Sequence, residues 1–375
     1  MRNKKKFIYA LATYVGTIIG VGLFGLPYVG AKAGFWVMLI FLIFLGLVAI
    51  TINLFYGEIA ARTKILHRLP GYAEIYLGKW GKRMAFVVKT LSLYGALLAY
   101  LIVGGQFLAA LFGGSVYIYT FIFFILGALL IWRDQKSVGP IELVLLIIFL
   151  VIIIFLFIFG VGHIDTENLK SVSWGYFFIP YGVILFSLWG TSIIPEIKEM
   201  LDGDLKLLRK VIIWGICLAA FVSLLFSLLV IGISGEQTSQ EGLSGLEGRL
   251  GQRVLSIGYV FGIITTFTSF IALGLTTKKI LWYDYGLNKR IAWFIGSFIP
   301  LFLFIIGLQN FIEIIGLTGA VMLGLDGLLV TVIFLKIKKQ DKSRNYIKLK
   351  IVGTLLMILL SLGVILEFFY FIKGY

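Results

Sequence analysis

Residues 16–27, G-T-I-I-G-V-G-L-F-G-L-P, restrict what this chain can fold into more than any other stretch. They lie inside an apolar run over residues 7–34. Gly16, Gly20, Gly22 and Gly25 crowd its middle, and Pro27 follows. A helix that crosses a membrane must satisfy its own backbone, because the hydrocarbon core holds no water to do so. Four glycines and a proline weaken the helix where continuity matters most. The resolution is a helix that breaks near residues 18–22 and faces a cavity, where freed N–H and C=O groups can bind something else. Rival readings explain less. Gly20-x-Gly22-x-x-Gly25 has the letters of a dinucleotide fingerprint but lacks the preceding strand. Gly16-x-x-x-Gly20 fits a helix-packing motif. The run is too long and too glycine-broken for a signal peptide.

Composition agrees with a membrane setting. Of 375 residues, 60% are hydrophobic and 14% charged, against roughly 25% charged in soluble domains. Eleven apolar segments approach the ~20 residues a span requires: 7–33, 35–60, 84–112, 116–132, 141–162, 174–200, 208–233, 254–276, 291–308, 311–335 and 349–372. The fold class is all-α and polytopic. The net charge of +15 would suit a nucleic-acid binder, but its placement excludes that. Of 33 Lys and Arg, 27 fall at the N-terminus and in every second loop after it. Such a bias marks the cytoplasmic side, so the N-terminus is expected in the cytoplasm and, after eleven spans, the C-terminus outside the plasma membrane. One cysteine, Cys217, leaves no disulfide framework. No catalytic His, Cys or Ser arrangement occurs, which argues against an enzyme.

The sixth span repeats the theme of the first. Residues 180–197 read P-Y-G-V-I-L-F-S-L-W-G-T-S-I-I-P-E-I, interrupted by Gly182, Gly190, Pro195 and the polar Ser187, Thr191 and Ser192. Two interrupted spans in matching positions of two five-span halves point to a transporter site. The odd spacing gives the halves inverted topology, with repeats over 7–162 and 174–335, an extra helix over 349–372, and a single transmembrane domain over 1–375. In the eighth span, Thr265, Thr268 and Ser269 share one helix face; they suit a hard cation, or simply bond back to their own helix. Asp326 lies near the middle of the tenth span, where a carboxylate needs a cavity or a partner. No intramembrane carboxylate or histidine presents itself as that partner. Lys89 is placed near the beginning of the third span. Glu58, Glu142, Glu196 and Glu313 lie near span ends and read as structural.

These motifs resemble the amino acid–polyamine–organocation superfamily, with the inverted-repeat fold of the bacterial leucine transporter, and within it the amino acid/auxin permease branch. The resemblance rests on G-T-I-I-G-V-G-L-F-G-L-P-Y with A-K-A-G-F-W, on F-S-L-W-G-T-S-I-I-P-E-I, and on L-T-G-A at residues 317–320. It implies a substrate carboxylate bound by the N–H groups of Gly20, Val21 and Gly22, which agrees with the partial positive charge of a half-helix N-terminus. The substrate amino group would meet the carbonyls of Ile18, Phe186 and Leu188. Ser187, Trp189 and Gly190 would line the side-chain pocket. The sodium site of sodium-coupled relatives falls on the carbonyls of Gly16, Ile19 and Thr265 and the hydroxyls of Thr268 and Ser269. The function implied is secondary active import of a small neutral amino acid by alternating access, coupled to sodium. The alternative is a proton-coupled carrier using Asp326; a sensor or channel is a further class. No cofactor beyond the coupling ion is expected. Gly-x-x-x-Gly patterns serve within and between chains alike, so they set no oligomeric state.

Overall fold

The computed structural model describes residues 2–63, 67–133, 139–342 and 344–373, and among these it is helical with no strand. The first apolar run forms α1 (Arg2–Ile18) and α2 (Gly22–Ala33), separated by three residues and bent by 51°. Gly34, at φ 110°, ends α2 and starts α3 (Phe35–Arg62) with almost no loop. α4 (Leu69–Phe112), α5 (Val116–Trp132) and α6 (Gly139–Gly160) complete the first half. Short turns over residues 161–176 lead to the second broken span, α7 (Pro180–Leu188) and α8 (Ile194–Met200). Then follow α9 (Leu205–Ser234), the short α10 (Glu247–Leu250), α11 (Gln252–Lys279) and α12 (Lys289–Ile305). α13 (Phe311–Leu317) and α14 (Gly324–Gln340) form the tenth span, and α15 (Tyr346–Lys373) the eleventh.

Among the described residues, seven helices are long and apolar enough to cross a membrane alone, and the bent α1/α2 pair makes an eighth. The broken α7/α8 pair, with α5 and α12 at 17 residues each, fills the remaining expected places; 17 residues make roughly 25 Å of helix. Two boundaries differ from expectation. The third span was expected from residue 84, but α4 begins at Leu69 and turns at Gly78 (φ 79°, ψ −168°), a conformation glycine adopts without steric penalty. Lys89 therefore lies well inside the span. The tenth span was expected to be continuous, but a π turn over Thr318–Leu323 separates α13 from α14. The Glu142 side chain falls outside the described residues.

Packing sorts the helices into two groups. α1, α2, α3, α7, α8 and α9 pack on one another, and α4, α5, α11 and α12 form the second group. α13 and α14 touch both, and α15 lies along α14. Glycines permit the closest approaches. A Cβ on Gly182 or Gly319 would strike the backbone of the other helix, so α7 and the tenth span meet backbone to backbone.

Candidate functional site at the two helix breaks

The breaks in the first and sixth spans meet at the centre of the molecule, and a cavity of about 60 Å³ opens beside them. Its wall includes Thr17, Ile18, Gly20 and Gly22 from the first break, and Phe186, Trp189 and Ser192 from the second. Lys89, Ser92, Leu93, Ala96 and Tyr100 of α4, Leu273 of α11, and Thr318 and Leu323 of the π turn complete it. Phe24 meets Phe107 edge-on at 4.9 Å and Phe226 at 5.8 Å. The loop after α9 covers them: Leu243 and Leu246 are fully buried, and Gly242 packs on the Phe24 carbonyl, Pro27 and Phe226.

The residues expected to hold a substrate divide. Ile18, Gly20, Gly22, Phe186 and Trp189 line the cavity. Ser187 turns away and donates to the Val183 carbonyl at 2.7 Å, pressed against Gly22. Leu188 is buried in the core, and Gly190 packs on the Tyr14 ring. The first break is partly self-satisfied in this conformation. The Gly20 N–H donates to the Ile18 carbonyl at 2.9 Å, and the Gly20 and Val21 carbonyls accept from Leu23 and Phe24. The Tyr100 side chain reaches into the break, against Gly20, the Val21 backbone and Ser269. Sequence reasoning missed Tyr100, since one tyrosine in an aromatic-rich span carries no distinguishing pattern.

The residues expected to hold sodium are not gathered into a cage in this conformation. α1 packs chiefly on α6, α8 and α9, and space is open beside Gly16. The Thr265 hydroxyl donates to Phe261 and Gly262 carbonyls, and that of Thr268 to Ile264 and Thr265, all at 3.0–3.1 Å. This is the back-bonding expected of hydroxyls on a membrane helix. Thr268 is exposed, and Ser269 lies beside Tyr100.

Asp326 has partners that the sequence reading did not find. It is fully buried, and its Oδ2 accepts from the Trp189 indole N–H at 2.9 Å and the Thr191 hydroxyl at 2.7 Å. Lys89 Nζ lies 3.5 Å from Oδ1 and donates to Thr191 Oγ1 at 3.1 Å. Of the two expectations for Asp326, a cavity or a partner, the structure shows partners. Lys89 was placed near the start of the third span, and it lies in the part of α4 that follows the break at Gly78. The signal was available: two opposite charges within the spans of one chain lower their desolvation cost by pairing. The cluster joins α4, the sixth-span break and α14. Closer to the N-terminal face, Glu58 of α3 meets Lys338 of α14 and Arg62, with Arg209 at 3.6 Å, and Arg68 donates to Glu196 at 2.7 Å.

Broken helices meeting at a central cavity, in an all-helical chain of eleven apolar segments, define a multi-pass membrane transporter of the leucine-transporter fold, not an enzyme. The chain matches the tryptophan/tyrosine permease family over residues 3–370, and it belongs to that family. A curated relative, tyrosine-specific transport system 1 of Haemophilus influenzae, is 27% identical over 226 residues, covering 58% of this chain and 56% of that protein. The match thus spans a little over half the length of that relative. Among solved structures, MhsT in complex with L-phenylalanine aligns with a TM-score of 0.64 at 15% identity, covering 97% of both chains. The Eremococcus coleocola manganese transporter aligns at 0.68 and 14%, covering 97% of this chain and 86% of that one. A nucleobase-cation-symport-1 family transporter in a closed conformation aligns at 0.65 and 13%, covering 96% and 91%. At these identities the likeness is one of fold. Among the described residues, no group of three or more His, Cys, Asp or Glu gathers that could hold a metal ion.

Proposed function

We propose that this protein is a secondary active transporter that imports an aromatic amino acid, tryptophan or tyrosine, across the plasma membrane by alternating access. The observation that carries the reading is the cavity at the two breaks, walled by Tyr100, Phe186 and Trp189 in a tryptophan/tyrosine permease family chain. The tyrosine specificity of the Haemophilus influenzae relative and the phenylalanine bound by MhsT support the same substrate class. It narrows the small neutral amino acid expected from the sequence to one with a large flat side chain. The motifs shared with the amino acid/auxin permease branch are consistent with this reading. The substrate carboxylate would sit at the N-terminus of α2, near the Gly22 N–H, and its amino group by the Ile18 and Phe186 carbonyls. The charge bias of the loops supports an N-terminus in the cytoplasm.

A proton is favoured over sodium as the coupling ion by one observation. The cluster of Lys89, Thr191, Trp189 and Asp326 places a titratable ion pair beside the cavity. The sodium reading, through Gly16, Ile19, Thr265, Thr268 and Ser269, requires α1 to approach α11. Uptake of labelled tryptophan, tyrosine and alanine into proteoliposomes, under an inward proton or an inward sodium gradient, tests both parts. Accumulation of the aromatic pair under the proton gradient alone is expected. Accumulation that needs sodium would return the coupling role to the α11 hydroxyls, and no accumulation under either gradient would favour a sensor or channel.

A further inference from the structure

We infer that Lys89, and not Asp326, is the group that takes up and gives back the coupling proton; the inference rests on the proton-coupled reading above. Lys89 is part of the cavity wall, whereas Asp326 is fully buried and lies outside that wall. Asp326 also has two uncharged donors on Oδ2, the Trp189 N–H and the Thr191 O–H, which stay in place when the ammonium is gone. Its Oδ1 has no hydrogen bond, only the Lys89 charge 3.5 Å away.

Two protonation steps are open to such a pair, and they are not equivalent. A proton added to Asp326 leaves a buried ammonium beside a neutral acid, an uncompensated charge in a low-dielectric site. A proton lost from Lys89 leaves a carboxylate that still accepts two hydrogen bonds, the arrangement that best supports a buried anion. In that second step one Nζ–H bond breaks. The proton passes to a water molecule in the cavity, and the electron pair stays on Nζ as a neutral amine. Uptake on the other side of the membrane reverses the step.

Other charged groups on the elements around α4 are engaged elsewhere. Lys278 of α11 donates to the Ile131 and Trp132 carbonyls. Asp284 has Arg68, His67 and Lys82 as its charged neighbours. Glu313 of α13 accepts from Asn310, Lys338 of α14 pairs with Glu58, and Lys289 of α12 lies over the Trp282 ring. Tyr56 of α3 is a further titratable group whose surroundings include Asp326. The step also has a mechanical consequence. The Lys89 ammonium ties α4, from one packed group, to Thr191 in the other group and to Asp326 on the tenth span. Its neutralisation releases that tie.

The test compares wild type with Lys89→Met, Lys89→Arg, Asp326→Asn and the paired Lys89→Met/Asp326→Asn variant in proteoliposomes. Two quantities are read: accumulation of labelled L-tryptophan under an inward proton gradient, and counterflow at equal pH, which needs no net proton movement. Both single Lys89 variants should lose accumulation entirely while counterflow falls by no more than about tenfold. Arginine should not rescue accumulation, because it cannot give up its proton. The paired variant leaves no unpaired charge and should show the same split. Asp326→Asn should still accumulate. Accumulation by Lys89→Met, or its loss in Asp326→Asn alone, overturns the inference. So does loss of counterflow in all the Lys89 variants while L-tryptophan binding persists. Failure of the wild type to accumulate under a proton gradient removes the proton-coupled reading itself, before any variant is compared.

Discussion

At the scale of single residues, the first break depends on an absent side chain. A Cβ on Gly20 would occupy the place of the Tyr100 hydroxyl, which is held in a buried wall. Gly20→Ala should therefore weaken tryptophan binding by about tenfold or more, the scale of a clash costing roughly 1–3 kcal/mol. Adding Tyr100→Phe removes the colliding oxygen and should recover part of the loss; equilibrium binding to the four members of this mutant cycle checks it. The Trp189 indole has a separate role on the Asp326 side. Trp189→Phe keeps an aromatic ring in the wall but removes one donor from a buried carboxylate, at a cost of about 1–3 kcal/mol. A lowered thermal midpoint in detergent is expected, and an unchanged midpoint would remove the indole N–H from the account. Of the residues expected at the site, Gly20 and Trp189 border the cavity, while Ser187 and Gly190 pack away from it in this conformation. Motif position puts a residue at the break, but only the local turn decides whether it faces the cavity or the core.

Whole elements show why the breaks survive. α7 lies against the tenth span with Gly182 opposite Gly316 and Gly319, close enough that the backbones touch. Small residues at helix contacts allow such approach, and in a membrane this packing carries much of the association. Gly182→Ala would force a methyl group onto the Gly316 carbonyl, and backbone cannot swing aside as a side-chain tip can. Destabilisation of about 1–3 kcal/mol is expected, read as a lower melting temperature in detergent, and it should exceed that of Gly162→Ala, where nothing lies near the new carbon. The π turn at Thr318–Leu323 belongs to the same contact and presents Thr318 and Leu323 to the cavity. Such turns often mark functional positions. The sequence L-T-G-A marked the place but not the conformation.

For the molecule as a whole, the cavity at the two breaks lies beside the aromatic cluster of Phe24, Phe107 and Phe226. Orientation follows from the loop charges and is open to a direct test. With Cys217→Ser as background, Lys170→Cys should react with a membrane-impermeant maleimide in intact cells. Lys206→Cys should react only after permeabilisation. The reverse pattern would invert the molecule. The two packed groups provide the parts for a rocking motion, and the Lys89–Asp326 cluster lies where they meet.

By itself, the sequence determined the membrane class, the number of apolar segments, and the place of both helix breaks. These follow from local chemistry: apolar length, glycine and proline within it, and charge at its ends. Tertiary structure decided which groups met. Asp326 and Lys89 are 237 positions apart, and nothing local to either identifies the other; they pair because burial strips each charge of most of its hydration. Tyr100 enters the break, and the α11 hydroxyls turn to their own helix, for the same reason. Spacing along one helix sets which face a side chain takes, while packing between helices sets what stands opposite.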